Sequence, residues 1–155
     1  MKIAIGSDHT GISHRKELRQ FLENNGFECI ELGPAEPEPV DYPDVAFELA
    51  ETVATGACER GILVCGTGIG VGIAANKVQG ILAAVCHDEN TVEMSRRHNH
   101  ANVLCLGARE KTEQEVIQLS DLWLKTPAEG GRHERRVRRI LELERTIAAR
   151  QPSQA

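Results

Sequence analysis

The chain has 155 residues, of which 41% are hydrophobic, 26% are charged and only 3% are aromatic. This length suits one domain, and the ordinary apolar fraction together with a net charge of −5 excludes an intrinsically disordered chain. No apolar run is long enough to span a bilayer, and the N-terminus becomes acidic at Asp8, too early for a secretory signal, so we expect a soluble cytoplasmic protein.

Short apolar runs alternate with longer stretches of helical spacing. In chain order, the predicted elements are a strand over residues 2–6, a helix over 14–25, a strand over 27–32, a helix over 43–57, a strand over 61–65, a helix that follows a glycine-rich loop and ends at 77, a strand over 81–86, a helix over 89–98, a strand over 103–107, and helices over 112–125 and 134–150. Four prolines exclude regular structure between residues 33 and 43. Thr112, with Glu115 three residues later, is a predicted N-cap.

This alternation predicts an α/β protein: a three-layer α/β/α sandwich around a five-stranded parallel, Rossmann-like sheet. A core built from Ile, Leu, Val and Ala suits a sheet that is covered on both faces. We predict a single domain over residues 1–155. Its C-terminal helical arm, at about 131–150, lies beyond the alternation, and the mixed apolar and arginine surface predicts packing on a neighbouring subunit. Residues 151–155 are a predicted tail.

Charge is divided unevenly along the chain. Residues 1–131 carry 11 Lys and Arg against 20 Asp and Glu, whereas residues 132–150 carry 7 Arg against 3 Glu. A basic end on an acidic body suits nucleic acid, an acidic partner or an anionic substrate. Nucleic acid is disfavoured, because the body has a net charge of −9 and the chain offers one Trp and one Tyr for base stacking. We expect neither a nucleic-acid nor a membrane partner.

The five cysteines form no CxxC pair and no Cys/His spacing typical of zinc sites, so we expect no metal. Cys29, Cys86 and Cys105 lie in apolar runs and are interpreted as buried side chains. Cys65 differs, because it directly precedes the glycine-rich loop, where the positive end of a helix would favour a thiolate. A nucleophile, a general base and a buried structural thiol all remain open for this residue.

Polar clusters follow four of the predicted strands, where open parallel sheets bind their ligands. These clusters are Asp8-His9, Cys65 with the glycine-rich loop, Asp88 and Arg109. His98 and Asn99 end the helix before the fifth strand, which could bring the imidazole to the same edge. A structural role for His98 and a helix-capping role for Asp8 remain open.

Glycine occupies every second position from Gly66 to Gly72, a spacing that matches neither the dinucleotide fingerprint nor the P-loop. Its amide groups could form an anion or oxyanion site at the start of the next helix, or the glycines could serve tight packing alone. Arg132 and Arg136 are four residues apart and would share one helix face, either as a phosphate clamp or as a solvated surface. A base, an oxyanion loop, a histidine and two arginines together suggest proton abstraction beside the carbonyl of a small phosphorylated substrate.

Six motifs, in order over residues 1–140, closely resemble the type B ribose-5-phosphate isomerases, a family that also contains galactose-6-phosphate and allose-6-phosphate isomerases. The motifs are Ser7-Asp8-His9-Thr10-Gly11, Asp41-Tyr42-Pro43-Asp44, Cys65-Gly66-Thr67-Gly68-Ile69-Gly70, Ala74-Ala75-Asn76-Lys77, Arg97-His98-Asn99-His100-Ala101-Asn102 and Gly130-Gly131-Arg132-His133-Glu134-Arg135-Arg136.

The resemblance implies interconversion of ribose 5-phosphate and ribulose 5-phosphate without a metal or an organic cofactor. It implies that Cys65 moves the proton between C1 and C2, that Thr67 orients the thiol, and that His98 and Asp8 open the sugar ring. The enediolate oxygen would be stabilised by backbone amides of the loop, from Gly66 and Thr67 through Gly68 and Ile69 to Gly70. The remaining substrate contacts implied are His9, Arg132, Arg136 and, less directly, Arg109 for the phosphate, and Asn99 for a sugar hydroxyl.

In one branch of that family the base is a Glu later in the glycine loop, and here that position is Val71, so the cysteine branch is predicted. The resemblance further implies a homodimer or homotetramer whose active site is shared between subunits, which the C-terminal helix fits. A six-carbon sugar phosphate as substrate and a non-catalytic sugar-phosphate-binding protein remain alternatives.

Overall fold

The computed structural model describes residues 1–150, so the predicted tail at 151–155 lies outside the described residues. The strands are β1 (Lys2–Ser7), β2 (Glu28–Leu32), β3 (Arg60–Cys65), β4 (Ala83–Val85) and β5 (Val103–Gly107). The α-helices are α1 (Ile12–Asn24), α2 (Tyr42–Ala54), α3 (Ile69–Ala75), α4 (Glu89–Arg97), α5 (Glu113–Lys125) and α6 (Arg132–Arg150). A 3-10 turn over His9–Gly11 precedes α1.

The predicted strands pair in parallel within one sheet, in the order β2-β1-β3-β5-β4. From β1 the chain moves to one edge at β2 and then crosses to the other side at β3. The direction of the strand order therefore reverses between β1 and β3. In open α/β sheets, the crevice beyond the carboxyl ends at such a reversal is where ligands bind.

Alternating side chains of the sheet build two cores, as a sheet covered on both faces requires. One face packs under α1, α4 and α5, and its buried sheet residues include Ile3, Ile5, Ile62, Val64, Leu104 and Leu106. The opposite face packs under α2 and α3, and its buried sheet residues include Ala4, Leu63, Cys65, Val103 and Cys105. The three-layer α/β/α sandwich predicted from the sequence is confirmed.

Strand β4 is shorter than the predicted strand over residues 81–86. The amide of Leu82 donates to Asn102 Oδ1 over 2.8 Å, and the Asn76 side chain bonds both the amide and the carbonyl of Ala83. Asparagine side chains therefore bond backbone groups of this edge strand. The apolar run had predicted that these groups pair within the sheet. Helix α2 ends earlier than predicted, before Gly56 with φ +80°, a conformation that favours glycine.

Helix α6 begins at Arg132, directly after Gly131, and is two residues longer at its start than predicted. Among its described residues only Val137 is buried. Three large apolar side chains, Ile140, Leu143 and Ile147, are between 44% and 57% exposed. Within residues 1–150, no helix has the length and apolar character needed to cross a membrane.

Candidate active site

A cavity of about 430 Å³ opens at the carboxyl ends of β1 and β3, where the strand order reverses. Asp8 and His9 follow β1, Cys65 ends β3, and Arg109 follows β5, so neighbouring strand ends bring these four predicted residues to one place. The complete lining is Asp8, His9, Thr10, Tyr42, Cys65, Gly66, Thr67, Ile69, Gly70, Ile73 and Arg109. We call this the β1–β3 cavity.

Cys65 is only 5% exposed in the wall of the β1–β3 cavity. The Gly68 amide donates to its Sγ over 3.2 Å, and an N–H donor stabilises negative charge on sulfur. Gly68 has φ +80°, and a Cβ there would lie 3.1 Å from the Leu106 backbone, so glycine is needed for this contact. Thr67 Oγ1 accepts from the Ile69 amide over 3.2 Å, which holds the threonine beside the cavity.

Asp8 and His9 are held by contacts within the loop after β1. Asp8 is 6% exposed, and its Oδ1 accepts from the amide of Thr10 over 2.9 Å and from Thr10 Oγ1 over 2.6 Å. It therefore caps the 3-10 turn, and the same carboxylate lines the cavity. The Val40 amide donates to His9 Nδ1 over 3.4 Å, so a neutral His9 ring carries its proton on Nε2.

The end of β5 places Arg109 against the glycine-rich loop. The Ala108 amide donates to Cys65 O over 2.7 Å and the Arg109 amide donates to Gly66 O over 3.1 Å. A Cβ at Gly66 would lie 3.3 Å from the Arg109 guanidinium, so the missing side chain leaves room for this cation. Arg109 therefore supplies positive charge in the same cavity as the thiol.

Tyr42, Thr10 and Ile73 line the cavity, although sequence reasoning gave them no role. The Tyr42 ring packs so closely on Gly70 that a Cβ there would lie 2.7 Å from it. The signal for Tyr42 was present, since it belongs to the second of the six motifs. It starts α2 near the end of the proline-rich segment, residues 33–43, and does not follow a strand, so a search limited to strand ends misses it.

Asp88, the remaining strand-end candidate, does not line the β1–β3 cavity. It follows β4 at the sheet edge, and β5 lies between β4 and β3. Its Oδ1 accepts from the Thr91 amide over 2.7 Å in a capping box at the start of α4. Three of the four polar clusters that follow strands therefore meet at the cavity. The strand order keeps the fourth, Asp88, away from it.

His98 lies in a second group of polar residues. Its ring stacks on that of His133, with centroids 4.0 Å apart and planes inclined by 3°. Glu129 Oε2 lies 3.8 Å from His98 Nε2 and 3.7 Å from His133 Nε2. We call His98, Glu129 and His133 the histidine–glutamate cluster. Sequence reasoning assigned no role to Glu129 or His133, although His133 belongs to the last of the six motifs.

The surroundings of the histidine–glutamate cluster lower the pKa of two of its members, Glu129 and His133. A 2.6 Å hydrogen bond from Arg97 lowers the pKa of the Glu129 carboxyl group. Desolvation lowers the pKa of His133, as do the nearby charges of His98, Arg132 and Arg136. A lowered pKa keeps the His133 ring neutral near pH 7, while the adjacent arginines make the surface cationic.

Arg132 and Arg136 are exposed one turn apart at the start of α6, as the sequence predicts. The arginine salt bridges within residues 1–150 use other side chains, namely Arg15, Arg19, Arg97, Arg138 and Arg139. The charges of Arg109, Arg132 and Arg136 are therefore not neutralised by a carboxylate of the described part of the chain.

The predicted site residues form two groups within one chain. The cavity brings together Asp8, His9, Cys65, Gly66, Thr67, Ile69, Gly70 and Arg109, with Gly68 directly behind Cys65. Its lining, within residues 1–150, does not include the second group, which consists of His98, Asn99, Arg132 and Arg136.

Comparison with known proteins identifies the family of the chain. The sequence pattern of the family described as Ribose/Galactose Isomerase matches residues 3–140. A probable ribose-5-phosphate isomerase B from Mycoplasma pneumoniae is 46% identical over 144 residues, which cover 92% of this chain and 95% of the relative.

Solved structures show the same relationship. The structure of ribose-5-phosphate isomerase B from Clostridium thermocellum matches with a TM-score of 0.92 and 48% identity, over 95% of this chain and 99% of that chain. Ribose-5-phosphate isomerase B from Mycoplasma genitalium, solved with bound ribulose 5-phosphate, matches with a TM-score of 0.89 and 44% identity, over 93% of this chain and 96% of that chain. The resemblance seen in the six motifs is thereby confirmed, and the chain belongs to the ribose/galactose isomerase family.

Proposed function

We propose that this chain is an aldose–ketose isomerase that interconverts ribose 5-phosphate and ribulose 5-phosphate. The observation that carries the proposal is the Cys65 thiol, which accepts a hydrogen bond from the Gly68 amide in the wall of a cavity that also holds Asp8 and Arg109. A proton acceptor beside a glycine-rich loop and a cation suits an anionic enediolate and a phosphate. The names of the relatives in the same family support this substrate.

Ring opening comes first in the proposed mechanism, because the furanose form of the aldose has no free carbonyl. His98 donates a proton to the ring oxygen, while Asp8 accepts the proton of the anomeric hydroxyl. The ring C–O bond breaks and the C1 aldehyde forms. Asp8 is suited to this role by its low exposure and by the two hydrogen bonds from Thr10 that fix one carboxylate oxygen.

Proton transfer between carbons follows. The Cys65 thiolate removes the proton from C2 of the open-chain aldose, and the electron pair moves into a C1–C2 double bond to form an enediolate. Backbone amides of the glycine-rich loop stabilise the developing oxygen charge. Return of the proton to C1, with transfer of the hydroxyl proton from O2 to O1, gives the ketose and restores the Cys65 thiolate. Proton exchange with solvent then removes the proton that Asp8 accepted and replaces the one that His98 donated.

The phosphate and the remaining groups come, in this proposal, from two subunits. Because one chain's cavity lacks His98, Asn99, Arg132 and Arg136, the proposed chemistry needs a second chain to bring them to Cys65. The exposed apolar side chains of α6, Ile140, Leu143 and Ile147, provide a surface on which a subunit could pack. A homodimer or homotetramer with shared active sites satisfies both observations.

Two alternatives make different predictions. An isomerase of a six-carbon sugar phosphate would use the same catalytic residues, and a ratio of kcat/KM above one for allose 6-phosphate or galactose 6-phosphate over ribose 5-phosphate would establish it. A non-catalytic sugar-phosphate-binding protein would need the cations but not the thiol. Exchange of the C2 proton of ribose 5-phosphate with solvent deuterium would exclude that alternative.

The test of the mechanism replaces Cys65 with alanine. We expect kcat for ribose 5-phosphate to fall by at least about 100-fold, since proton transfer by a positioned group contributes on this order. Circular dichroism and the melting temperature check that the fold is intact.

The matched control is Cys29→Ala. Cys29 is a partly buried thiol on β2 whose pKa is raised to about 11 by desolvation, and it does not line the β1–β3 cavity. The control should retain wild-type turnover. Near-normal turnover in Cys65→Ala would contradict the mechanism.

A further inference from the structure

The histidine–glutamate cluster presents a set of ligand atoms that transition metals prefer. His98, Glu129 and His133 each offer one ligand atom, and these three atoms lie within 4.8 Å of one another. Two imidazoles and one carboxylate form a donor set that holds zinc in proteins and leaves a fourth position open to water.

The distances need little change to accept an ion. In a tetrahedral site with bonds of about 2.0–2.2 Å, ligand atoms lie about 3.4 Å apart. Glu129 Oε2 lies 3.8 Å from His98 Nε2 and 3.7 Å from His133 Nε2. The two rings are parallel, so one of them must turn for both nitrogens to face a common point. His98 is 37% exposed at the end of α4 and can turn without displacing the core.

Surrounding contacts already orient the carboxylate. Arg97 Nε donates to Glu129 Oε1 over 2.6 Å, which leaves Oε2 facing the two imidazoles. The His100 ring hydrogen-bonds Glu129 O over 2.6 Å, and the Glu129 amide donates to Arg97 O over 2.9 Å. Hydrogen bonds of this kind, from residues that do not bind the metal themselves, fix the geometry of the ligands and increase the metal affinity.

The chemistry of the cluster selects the metal. Imidazole nitrogens suit zinc, whereas magnesium and calcium require mainly oxygen ligands. Arg97, Arg132 and Arg136 place positive charge nearby, which disfavours cations that are held by charge alone. The cluster therefore suits a borderline-soft ion that is bound through two nitrogens and one carboxylate.

We propose that Zn²⁺ binds between His98, Glu129 and His133 and inhibits the enzyme by occupying His98. The inhibition rests on the function proposed above, because it requires His98 to act on the sugar ring. The binding does not rest on it, since it depends only on the three ligands.

Calorimetric titration of the purified full-length protein with Zn²⁺ tests the binding. We expect one strong site per chain, weakened at least about tenfold in His133→Asn and in Glu129→Gln. His87→Asn is the matched control, because His87 forms another histidine–carboxylate pair, with its Nδ1 3.5 Å from Glu110 Oε2, without a second imidazole. Cys65→Ala controls for binding by the thiol. Both controls should bind Zn²⁺ as the wild type does.

Three results would overturn the site: no strong Zn²⁺ site in the wild type, unchanged affinity in both cluster variants, or loss of binding in Cys65→Ala. The activity arm measures turnover of ribose 5-phosphate against Zn²⁺ concentration. We expect inhibition that a chelator reverses and a half-inhibitory concentration at least about tenfold higher in Glu129→Gln. Binding as expected without inhibition would refute the inhibitory role alone, and binding in a protein that lacks isomerase activity would refute the proposed function and leave the site standing.

Discussion

The role proposed for His98 is separable from that of Cys65, because ring opening and carbon proton transfer are distinct steps. His98→Asn should lower kcat/KM for ribose 5-phosphate by at least about 100-fold. The same variant should act almost normally on an open-chain analogue, such as a four-carbon aldose 4-phosphate, in which the phosphate blocks ring closure. Parallel assays of wild type and variant on both substrates give the comparison.

The control for this experiment is His87→Asn, which changes an exposed histidine two residues after β4 that does not line the β1–β3 cavity. It should leave both activities unchanged. Equal losses on the cyclic and the open-chain substrate in His98→Asn would show that ring opening is not the role of His98.

Arg15 is a buried cation next to the loop that carries Asp8. It is 2% exposed and donates to Glu31 Oε1 over 2.7 Å, to Ser7 Oγ over 2.8 Å and to Pro34 O over 2.6 Å. These bonds tie the end of β1 and the start of the proline-rich segment to α1. Asp8 directly follows Ser7, so Arg15 also fixes the backbone that carries the proposed carboxylate.

Glu31 makes this anchor sensitive to acid. Burial raises the pKa of the Glu31 carboxyl group, but hydrogen bonds from Arg19 and Arg15 outweigh it and hold the pKa below the usual value. A carboxyl whose pKa is lower in the folded protein contributes stability above its unfolded pKa and loses that contribution as the pH falls through the folded value.

Glu31→Gln should therefore be less stable than the wild type near pH 7, by about 1–2 kcal/mol. The difference should shrink as the pH falls below the ordinary glutamate pKa of 4.5 and through the lowered folded value, where the wild-type carboxylate becomes protonated. Urea unfolding over this range measures it, with the exposed Glu36→Gln as control. A difference that is independent of pH would contradict this account of the ion pair.

At the scale of elements, α5 shows how a local signal fixes a helix start. Thr112 Oγ1 accepts from the Glu115 amide over 3.2 Å, and Glu115 Oε2 accepts from the Thr112 amide over 2.7 Å. This is the capping box predicted from the spacing of Thr112 and Glu115. The helix then buries Val116, Leu119 and Trp123 against the sheet.

Thr112→Ala should lower the free energy of unfolding by about 1 kcal/mol, the usual effect of losing an N-cap side chain. Thermal or urea unfolding measures the change. The matched control is Thr52→Ala within α2, where the hydroxyl only bonds the carbonyl of its own helix at Glu48 and alanine has the higher helix propensity. A loss of stability in the control equal to that in Thr112→Ala would contradict the capping role.

Apolar periodicity predicted most of the strands and helices, because their buried faces carry Ile, Leu, Val and Ala, whereas α6 buries only Val137. The ends of strands were less predictable where side chains distant in sequence bond the backbone. Asn102 and Asn76 do this at Leu82 and Ala83. Such contacts depend on strand order, which apolar patterns do not contain. The same limitation explains why Asp88 was grouped with the site although β5 separates it from Cys65.

For the whole molecule, the sequence predicted that side chains at the ends of β1, β3 and β5 lie together, because parallel strands end at one edge, and these side chains line one cavity. It could not place Tyr42, whose ring reaches the cavity from the start of α2 by packing on Gly70. It also could not show that His98 lies against His133 and Glu129, because that contact joins the end of α4 to the start of α6. Long-range packing of this kind leaves no periodic signal.

The division of the site into two groups gives the proposed assembly a direct test, complementation between inactive subunits. If each site combines Cys65 of one subunit with His98 of the other, a mixed dimer of Cys65→Ala and His98→Asn chains has one intact site and one doubly defective site. Random exchange at equal amounts makes about half of the dimers mixed, so the mixture should recover about one quarter of wild-type activity on ribose 5-phosphate.

Refolding the two variants together after denaturation measures this recovery, and each variant refolded alone is the control. Sites contained within single chains would give no recovery, and sedimentation of a monomer under assay conditions would exclude the shared site.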